Sequence, residues 1–250
     1  MKKTVVVSGG GAGIGRAIAR SFAMSGDSVV IISRRTSVLQ QTAKELTTEA
    51  AAKGGHVEAF PGDLSESGSV AELCKSILSA HSVVDVLVNN AGGVDREPAA
   101  TLKEIADSWL RDFSSNVLSA VMLTTSLLPN FKRPGGRIIN MSSIAALRGG
   151  GGSYTAAKAA IIAWTFDLAR TLGRDGITVN AVAPGYITGT EFFGNSMTPE
   201  RHQRLVSETL DQRPGTPEDV AAMVHFIASE QASHITGQIF QVNGGALLGR

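Results

Sequence analysis

The chain has 250 residues, 43% of them hydrophobic, and a formal net charge of +1. That is enough to bury a full core, and it leaves neither a basic surplus for nucleic acid nor an acidic excess for a disordered tail. Cys74 is the single cysteine, which excludes a disulfide framework or a cysteine-built metal site within one chain. The five histidines are scattered without metal-ligand spacing, so no metal site is expected. The apolar run after Met1-Lys2-Lys3 stops at Ser8, too soon for an export signal. No stretch approaches the roughly 20 apolar residues of a membrane span. A cytoplasmic protein acting on a small molecule is expected, with no nucleic-acid and no membrane partner.

In chain order, short β-branched runs at 4–7, 28–32, 56–60, 83–88, 137–141, 177–182 and 238–242 read as strands. Between them, segments 14–24, 38–53, 69–80, 117–128 and 154–172 have helical spacing. Strands too uniformly apolar to have a wet face, alternating with helices, predict an α/β fold: a doubly wound parallel sheet covered on both sides. No composition shift divides residues 1–250, so one domain is expected. Late helices carry start signals, Thr198-Pro199-Glu200 and Thr216-Pro217-Glu218-Asp219, with a capping Thr, a first-turn Pro and acids facing the helix dipole. Residues 186–214 lose the β-α regularity and are read as a substrate loop or lid; the Gly149-to-Gly152 run reads as a flexible turn.

After the first strand, Ser8-Gly9-Gly10-Gly11-Ala12-Gly13-Ile14-Gly15 leads straight into a helix. A helix N-terminus offers unpaired N–H groups and its positive dipole end to a pyrophosphate, and glycines let the backbone come close. The loop is not a nucleoside-triphosphate motif, because Arg16-Ala17 stand where Lys and Ser/Thr are needed. The second strand ends Ser33-Arg34-Arg35 without an acid, the arrangement that accommodates a ribose 2′-phosphate, so NADP(H) is expected over NAD(H). Farther on, Tyr154 and Lys158 share one helix face. An ammonium beside a phenol stabilises the phenolate and brings its proton within reach of neutral pH. The pair follows a strand ending Asn140-Met141-Ser142-Ser143, at the carboxyl edge where doubly wound folds bind ligands.

Gly9-x-x-x-Gly13-Ile14-Gly15, Asn89-Asn90-Ala91-Gly92, Asn116, Ser143, Tyr154-x-x-x-Lys158 and Pro184-Gly185 together resemble the short-chain dehydrogenase/reductase family in its compact single-domain subgroup. The resemblance implies a Rossmann fold with a seven-stranded sheet and a homotetramer built partly through helices 117–128 and 154–172. It implies that Tyr154 exchanges the proton, Ser143 hydrogen-bonds the carbonyl oxygen, Lys158 holds the ribose and Asn116 anchors a relay water. Cofactor contacts fall by the same resemblance to Gly9, Gly11, Gly13, Ile14, Gly15, Ser33, Arg34, Arg35, Asp63, Leu64, Asn90, Ala91, Gly92, Tyr154, Lys158, Pro184, Gly185, Ile187 and Thr190. Asp63 is alternatively a helix cap, Asn116 a buried helix-bonding amide, and Ser142 and Thr188 are rivals to Ser143 and Thr190.

Gly176-Ile177-Thr178-Val179-Asn180 and Val242-Asn243-Gly244-Gly245 are similar to the 3-oxoacyl-carrier-protein reductase branch. That similarity implies an NADPH-dependent reduction of a ketone, a 3-oxoacyl thioester on an acyl carrier or CoA being one substrate class. Where that branch commonly has Arg before the Gly-Ile-Thr-Val-Asn stretch, this chain has Asp175, which leaves Lys132 and Arg133 as the basic landing site for a carrier. Ser143 also lies closer to Tyr154 than is common in the family, which implies a differently shaped pocket. The same residues suit an NAD(P)-dependent alcohol or steroid dehydrogenase working oxidatively, and the reading from another class is a non-catalytic dinucleotide-binding sensor.

Overall fold

Near-continuous apolar runs bury both faces of the five central strands of a seven-stranded sheet, and the two edge strands stay partly exposed. In the computed structural model, which describes residues 2–249, the seven strands are Thr4–Ser8 (β1), Ser28–Ser33 (β2), His56–Pro61 (β3), Val86–Asn89 (β4), Arg137–Met141 (β5), Thr178–Pro184 (β6) and Ile239–Val242 (β7). They form one sheet in the order β3-β2-β1-β4-β5-β6-β7, and every neighbouring pair is parallel. The order reverses between β1 and β4, and the crevice opened there at the carboxyl ends is where such sheets take ligands.

Nine α-helices lie among the described residues: Gly13–Ala23 (α1), Thr36–Ala50 (α2), Ser67–Ala80 (α3), Leu102–Phe113 (α4), Ser119–Leu127 (α5), Ala145–Arg148 (α6), Gly152–Leu172 (α7), Pro199–Ser207 (α8) and Pro217–Ile227 (α9). Strand alternation sorts the core into two layers. Val5, Val7, Val29 and Ile31 pack with Ile18 and Phe22 of α1, Leu39 and Leu46 of α2 and Val224 of α9. Val6, Val30 and Ile32 point the other way, into Leu73 and Ile77 of α3, Leu123 and Leu127 of α5 and Leu172 of α7.

The doubly wound seven-stranded parallel sheet expected from the sequence is present. Thr198 and Thr216 cap α8 and α9 by accepting from Arg201 N at 3.2 Å and Asp219 N at 3.3 Å, and Asp219 returns the bond to Thr216 N at 2.9 Å. Several boundaries differ by a few residues. β4 begins at Val86 rather than at residue 83, because Val84 bridges Phe131 instead. α7 begins at Gly152, inside the glycine run. Helix α4 has no counterpart in the strand and helix pattern read from the sequence. Its capping box, Thr101 with Glu104, is present, but Leu102, Ile105, Trp109 and Leu110 face outward, and Asp112 is its buried residue. Both signals stand in the sequence, the Thr101-x-x-Glu104 cap and apolar residues at 102, 105 and 109 with helical spacing.

Candidate active site

The turn after β1 is set by how closely backbone approaches backbone. A Cβ on Gly15 would lie 2.1 Å from Gly9 O, and one on Gly9, where φ is +68°, would lie 2.8 Å from Asn90 Nδ2. Asn90 Nδ2 donates to Ser8 O at 3.0 Å, and the Ser8 hydroxyl accepts from Asn90 N and Ala91 N, each at 2.9 Å. The ends of β1 and β4 are thereby stitched together, leaving the N-terminus of α1 open toward the crevice.

A cavity of about 430 Å³ occupies this crevice. Gly9, Gly13, Ile14 and Gly15 line it from β1 and α1, Asn90, Ala91 and Gly92 from β4, and Ser142 and Ser143 from β5. Tyr154 and Lys158 of α7 complete it with Pro184, Gly185, Ile187, Thr190, Phe192 and Phe193. Gly11, Ser33, Arg34, Arg35, Asp63, Leu64 and Asn116 are not part of this lining.

Ser142 and Ser143 separate by direction. The Ser142 hydroxyl is buried and donates to Lys158 O at 2.8 Å, tying β5 to α7, whereas Ser143 Oγ accepts from Ala145 N at 3.2 Å and neighbours the Tyr154 phenol. Lys158 Nζ, itself buried, donates to Met141 O at 2.9 Å and stands 5.7 Å from the Tyr154 ring centre. Asn116 lies in a π-helical segment, Ser114–Leu118, between α4 and α5. Its Nδ2 donates to Gly93 O at 2.8 Å and to Asp112 O at 2.9 Å, and its Oδ1 accepts from Gly93 N at 3.2 Å. Gly92 separates Asn116 from the ammonium: a Cβ there would sit 2.4 Å from Asn116 Oδ1 and 3.2 Å from Lys158 Nζ.

Electrostatics modify the expectation that Lys158 holds the phenol low. Burial pushes Tyr154 up to about 12, the neighbouring Ser143 hydroxyl opposes this, and the charge of Asp112 adds to it. Burial likewise brings Lys158 down to about 8. In the protein alone burial dominates, and Tyr154 is a neutral phenol at pH 7.

The remaining sequence candidates divide. Thr190 lines the cavity and its Cγ2 would meet a Cβ on Gly13 at 3.3 Å, whereas Thr188 is tied to Gly215 O through its hydroxyl at 3.2 Å. Asp63 accepts from Ser65 N at 2.9 Å and Ser65 Oγ at 2.7 Å, which holds its carboxyl below the usual range. It forms an Asx turn and does not cap α3, whose N-cap is Glu66. Leu64 is buried in the core, so a contact from it to a ligand is confined to its main chain. Gly11 lies over Ser33 and Leu39, and its carbonyl accepts from Thr42 Oγ1 at 2.9 Å. Arg35 pairs with Glu191 at 2.8 Å, while Arg34 is exposed beside Asp63.

Sequence reasoning missed three contributors. Ser8 had a signal, its place at the end of a strand before a glycine turn. The contact of Phe192 with Tyr154, ring centres 5.5 Å apart, and the bond from Ser153 Oγ to buried Asp112 Oδ2 at 2.6 Å join segments with no sequence pattern in common.

These walls fit a nicotinamide dinucleotide. The glycine cradle would be filled by any Cβ at Gly9 or Gly15, the N-terminus of α1 faces the crevice, and Lys158 offers an ammonium for ribose hydroxyls. Among the described residues no group of His, Cys, Asp and Glu could hold a metal ion, and no helix is long and apolar enough to cross a membrane.

Comparison with known proteins agrees with this geometry. Residues 9–246 match a family model described as enoyl-(acyl carrier protein) reductase. The 3-oxoacyl-(acyl-carrier-protein) reductase FabG of Chlamydia trachomatis is 34% identical, covering 98% of this chain and 97% of that protein. An uncharacterized oxidoreductase of Bacillus subtilis, YhxC, is 33% identical over 98% of this chain and 85% of its own length. Among solved structures, a short-chain dehydrogenase/reductase from Mycobacterium ulcerans superposes with TM-score 0.89 at 28% identity, covering 98% of this chain and 89% of that one. A 7α-hydroxysteroid dehydrogenase complexed with NADH and 7-oxo glycochenodeoxycholic acid gives TM-score 0.86 at 32% identity, with 97% and 93% covered. The chain belongs to the short-chain dehydrogenase/reductase family of oxidoreductases, which act on CH–OH and C=O groups with a nicotinamide dinucleotide.

Proposed function

We propose that this protein is an NADPH-dependent ketoreductase whose catalytic residues are Ser143, Tyr154 and Lys158, with Asn116 as a positioning residue. The observation that carries the reading is a neutral phenol, beside a serine hydroxyl and a buried ammonium, in the same cavity as the glycine turn. A reduced nicotinamide, held by the glycine turn and Lys158, would supply the hydride for the carbonyl carbon. Tyr154 donates its proton to the carbonyl oxygen, and Ser143 hydrogen-bonds that oxygen as negative charge builds on it. The Lys158 ammonium then stabilises the phenolate left behind and binds the cofactor ribose. Asn116 holds Gly93 and thereby the loop that packs against Lys158.

Preference for NADPH rests on Arg34. With Arg35 engaged by Glu191, Arg34 is the guanidinium available to a 2′-phosphate at the end of β2, where no acid stands to repel it. Gly9, Gly11, Gly13, Ile14 and Gly15 would hold the pyrophosphate. Ser33 would join Arg34, Asp63 and Leu64 would border the adenine, and Asn90, Ala91 and Gly92 the adenosine side. Pro184, Gly185, Ile187 and Thr190 would border the nicotinamide.

For the substrate we favour a small ketone over a carrier-bound thioester. The basic patch that would meet a carrier is neutralised, Lys132 by Asp85 and Arg133 by Asp175, each at 3.2 Å. The outward apolar face of α4, continued by Leu118 and by Phe166 of α7, suits burial against a second copy in a homotetramer. Residues 186–214 act as the substrate loop of a single catalytic domain.

Four measurements test these readings. Tyr154→Phe should lower kcat for ketone reduction by at least about 10²-fold while leaving NADPH binding nearly intact; undiminished turnover would sink the assignment. Arg34→Ala should raise the KM for NADPH far more than that for NADH, and a parallel rise in both would remove the 2′-phosphate argument. Lys158 carries a folded pKa of about 8 against 10.5 in the open chain, so its burial penalty is full below pH 8 and fades as pH rises to 10.5. Lys158→Met should therefore stabilise the cofactor-free protein at pH 7 by about 2 kcal/mol, a gain that shrinks in urea unfolding near pH 10. Leu110→Glu should lower the sedimentation mass if α4 lies in a subunit interface.

A further inference from the structure

Two guanidinium groups meet at the outer rim of the cavity with no acid between them. Arg96, on the loop after β4, lines the cavity beside Phe192 and Phe193. Its Nη1 donates to Ser196 Oγ at 3.3 Å and its Nη2 to Phe192 O. Arg201 of α8 reaches the same serine from the far side, donating from Nη1 to Ser196 O at 3.0 Å and to Oγ at 3.1 Å. Since the Ser196 hydroxyl gives its own proton to Phe193 O at 2.6 Å, both cations share the lone pairs of one neutral oxygen.

This leaves the pair short of acceptors. Arg201 Nε is buried without a hydrogen-bond partner. Other arginines nearby are matched to carboxylates, Arg35 to Glu191 and Arg111 to Asp95 at 2.8 Å, and Arg148 to Glu208 at 2.7 Å. Among the described residues Arg96 and Arg201 have no such match. Each instead lies over an aromatic ring, Arg96 at 5.9 Å from the centre of Phe192 and Arg201 at 5.2 Å from that of Phe193. Phe192 in turn touches the Tyr154 ring, with centres 5.5 Å apart, so one aromatic ring stands between Arg96 and Tyr154, and Phe193 and Phe192 together stand between Arg201 and Tyr154. A guanidinium fork fits the two oxygens of a carboxylate or phosphate, and an ionised acceptor forms a bond roughly twice as strong as the neutral hydroxyl now shared.

We propose that Arg96, backed by Arg201 and Ser196, binds an anionic group carried by the ketone substrate at the end remote from its carbonyl. The proposal rests on the ketoreductase reading and specifies its substrate class, keto acids or keto compounds bearing a phosphate.

The test pairs straight-chain keto acids of increasing length with their methyl esters, and acetoacetyl-CoA with neutral acetoacetyl-N-acetylcysteamine. Wild type, Arg96→Gln and Arg201→Gln are assayed with NADPH. In the wild type the anionic member of one series should have the higher kcat/KM, the keto-acid series identifying a carboxylate and the CoA pair a phosphate. Arg96→Gln should lower the anionic-to-neutral ratio at least about tenfold, and Arg201→Gln less. A ratio that Arg96→Gln does not move, or a loss that follows the KM for NADPH alone, overturns the subsite. Calorimetric binding of the same pairs keeps the two readings apart. Failure to turn over any ketone counts against the reductase, whereas anionic members that bind no tighter than their neutral partners overturn the subsite.

Discussion

A buried ammonium with a single carbonyl for a partner is the constraint around which the cavity is organised. Lys158 lies under the carboxyl edge of β5, bonded to Met141 O, while its own carbonyl is held by Ser142. Removing such a charge from water costs several kcal/mol, and one hydrogen bond does not offset it. A sequence selected for stability alone would place Leu or Met here. The charge is kept in place by apolar packing on the same helix, through Ala157 and Ile161, and by the absence of a side chain at Gly92. Helix α7 therefore packs for the sake of a group that its packing destabilises.

Topology supplies the rest. Parallel strands send every carboxyl end to one edge, and the reversal of order between β1 and β4 parts the flanking loops there. The glycine turn, the Asn90 loop, the two serines and the Pro184-Gly185 corner meet because each directly follows a strand. Ser8 adds a detail of economy, since one hydroxyl accepts two backbone N–H groups and fixes the spacing of two strand ends.

The layered fold was legible because both its signals are core-directed: unbroken runs of valine and isoleucine in the strands, and 3.6-residue stripes in α1, α2, α3 and α5. Tyr154 and Lys158 were legible as a pair because helical spacing is fixed covalently. Helix α4 was equally legible, from its Thr101-x-x-Glu104 cap and apolar spacing, and was passed over. What lay beyond the sequence depends on tertiary contact, as where Phe192 meets Tyr154 across residues with no shared pattern. Spacing places an ammonium near an oxygen but says nothing of how much water both have lost, so the burial that raises the Tyr154 phenol and lowers Lys158 shows only in the fold. Arg34 and Arg35 are neighbours in sequence, and only the fold shows that Glu191, far along the chain, engages Arg35.

That last contact bears on the segment between β6 and α9. Glu191 and Glu208 fasten it to Arg35 and Arg148 through partly exposed side chains. Pairs of this kind are worth roughly 0–1 kcal/mol each, and the salt of an ordinary cell, with a Debye length of about 8 Å, weakens them further. Each fastening is thus comparable to the thermal energy. What fixes the ends of the segment is main chain instead, Thr188 N on Gly215 O at 2.9 Å and Leu210 N on Gly244 O at 2.7 Å, so salt loosens its outer edge and leaves its anchorage to the sheet untouched.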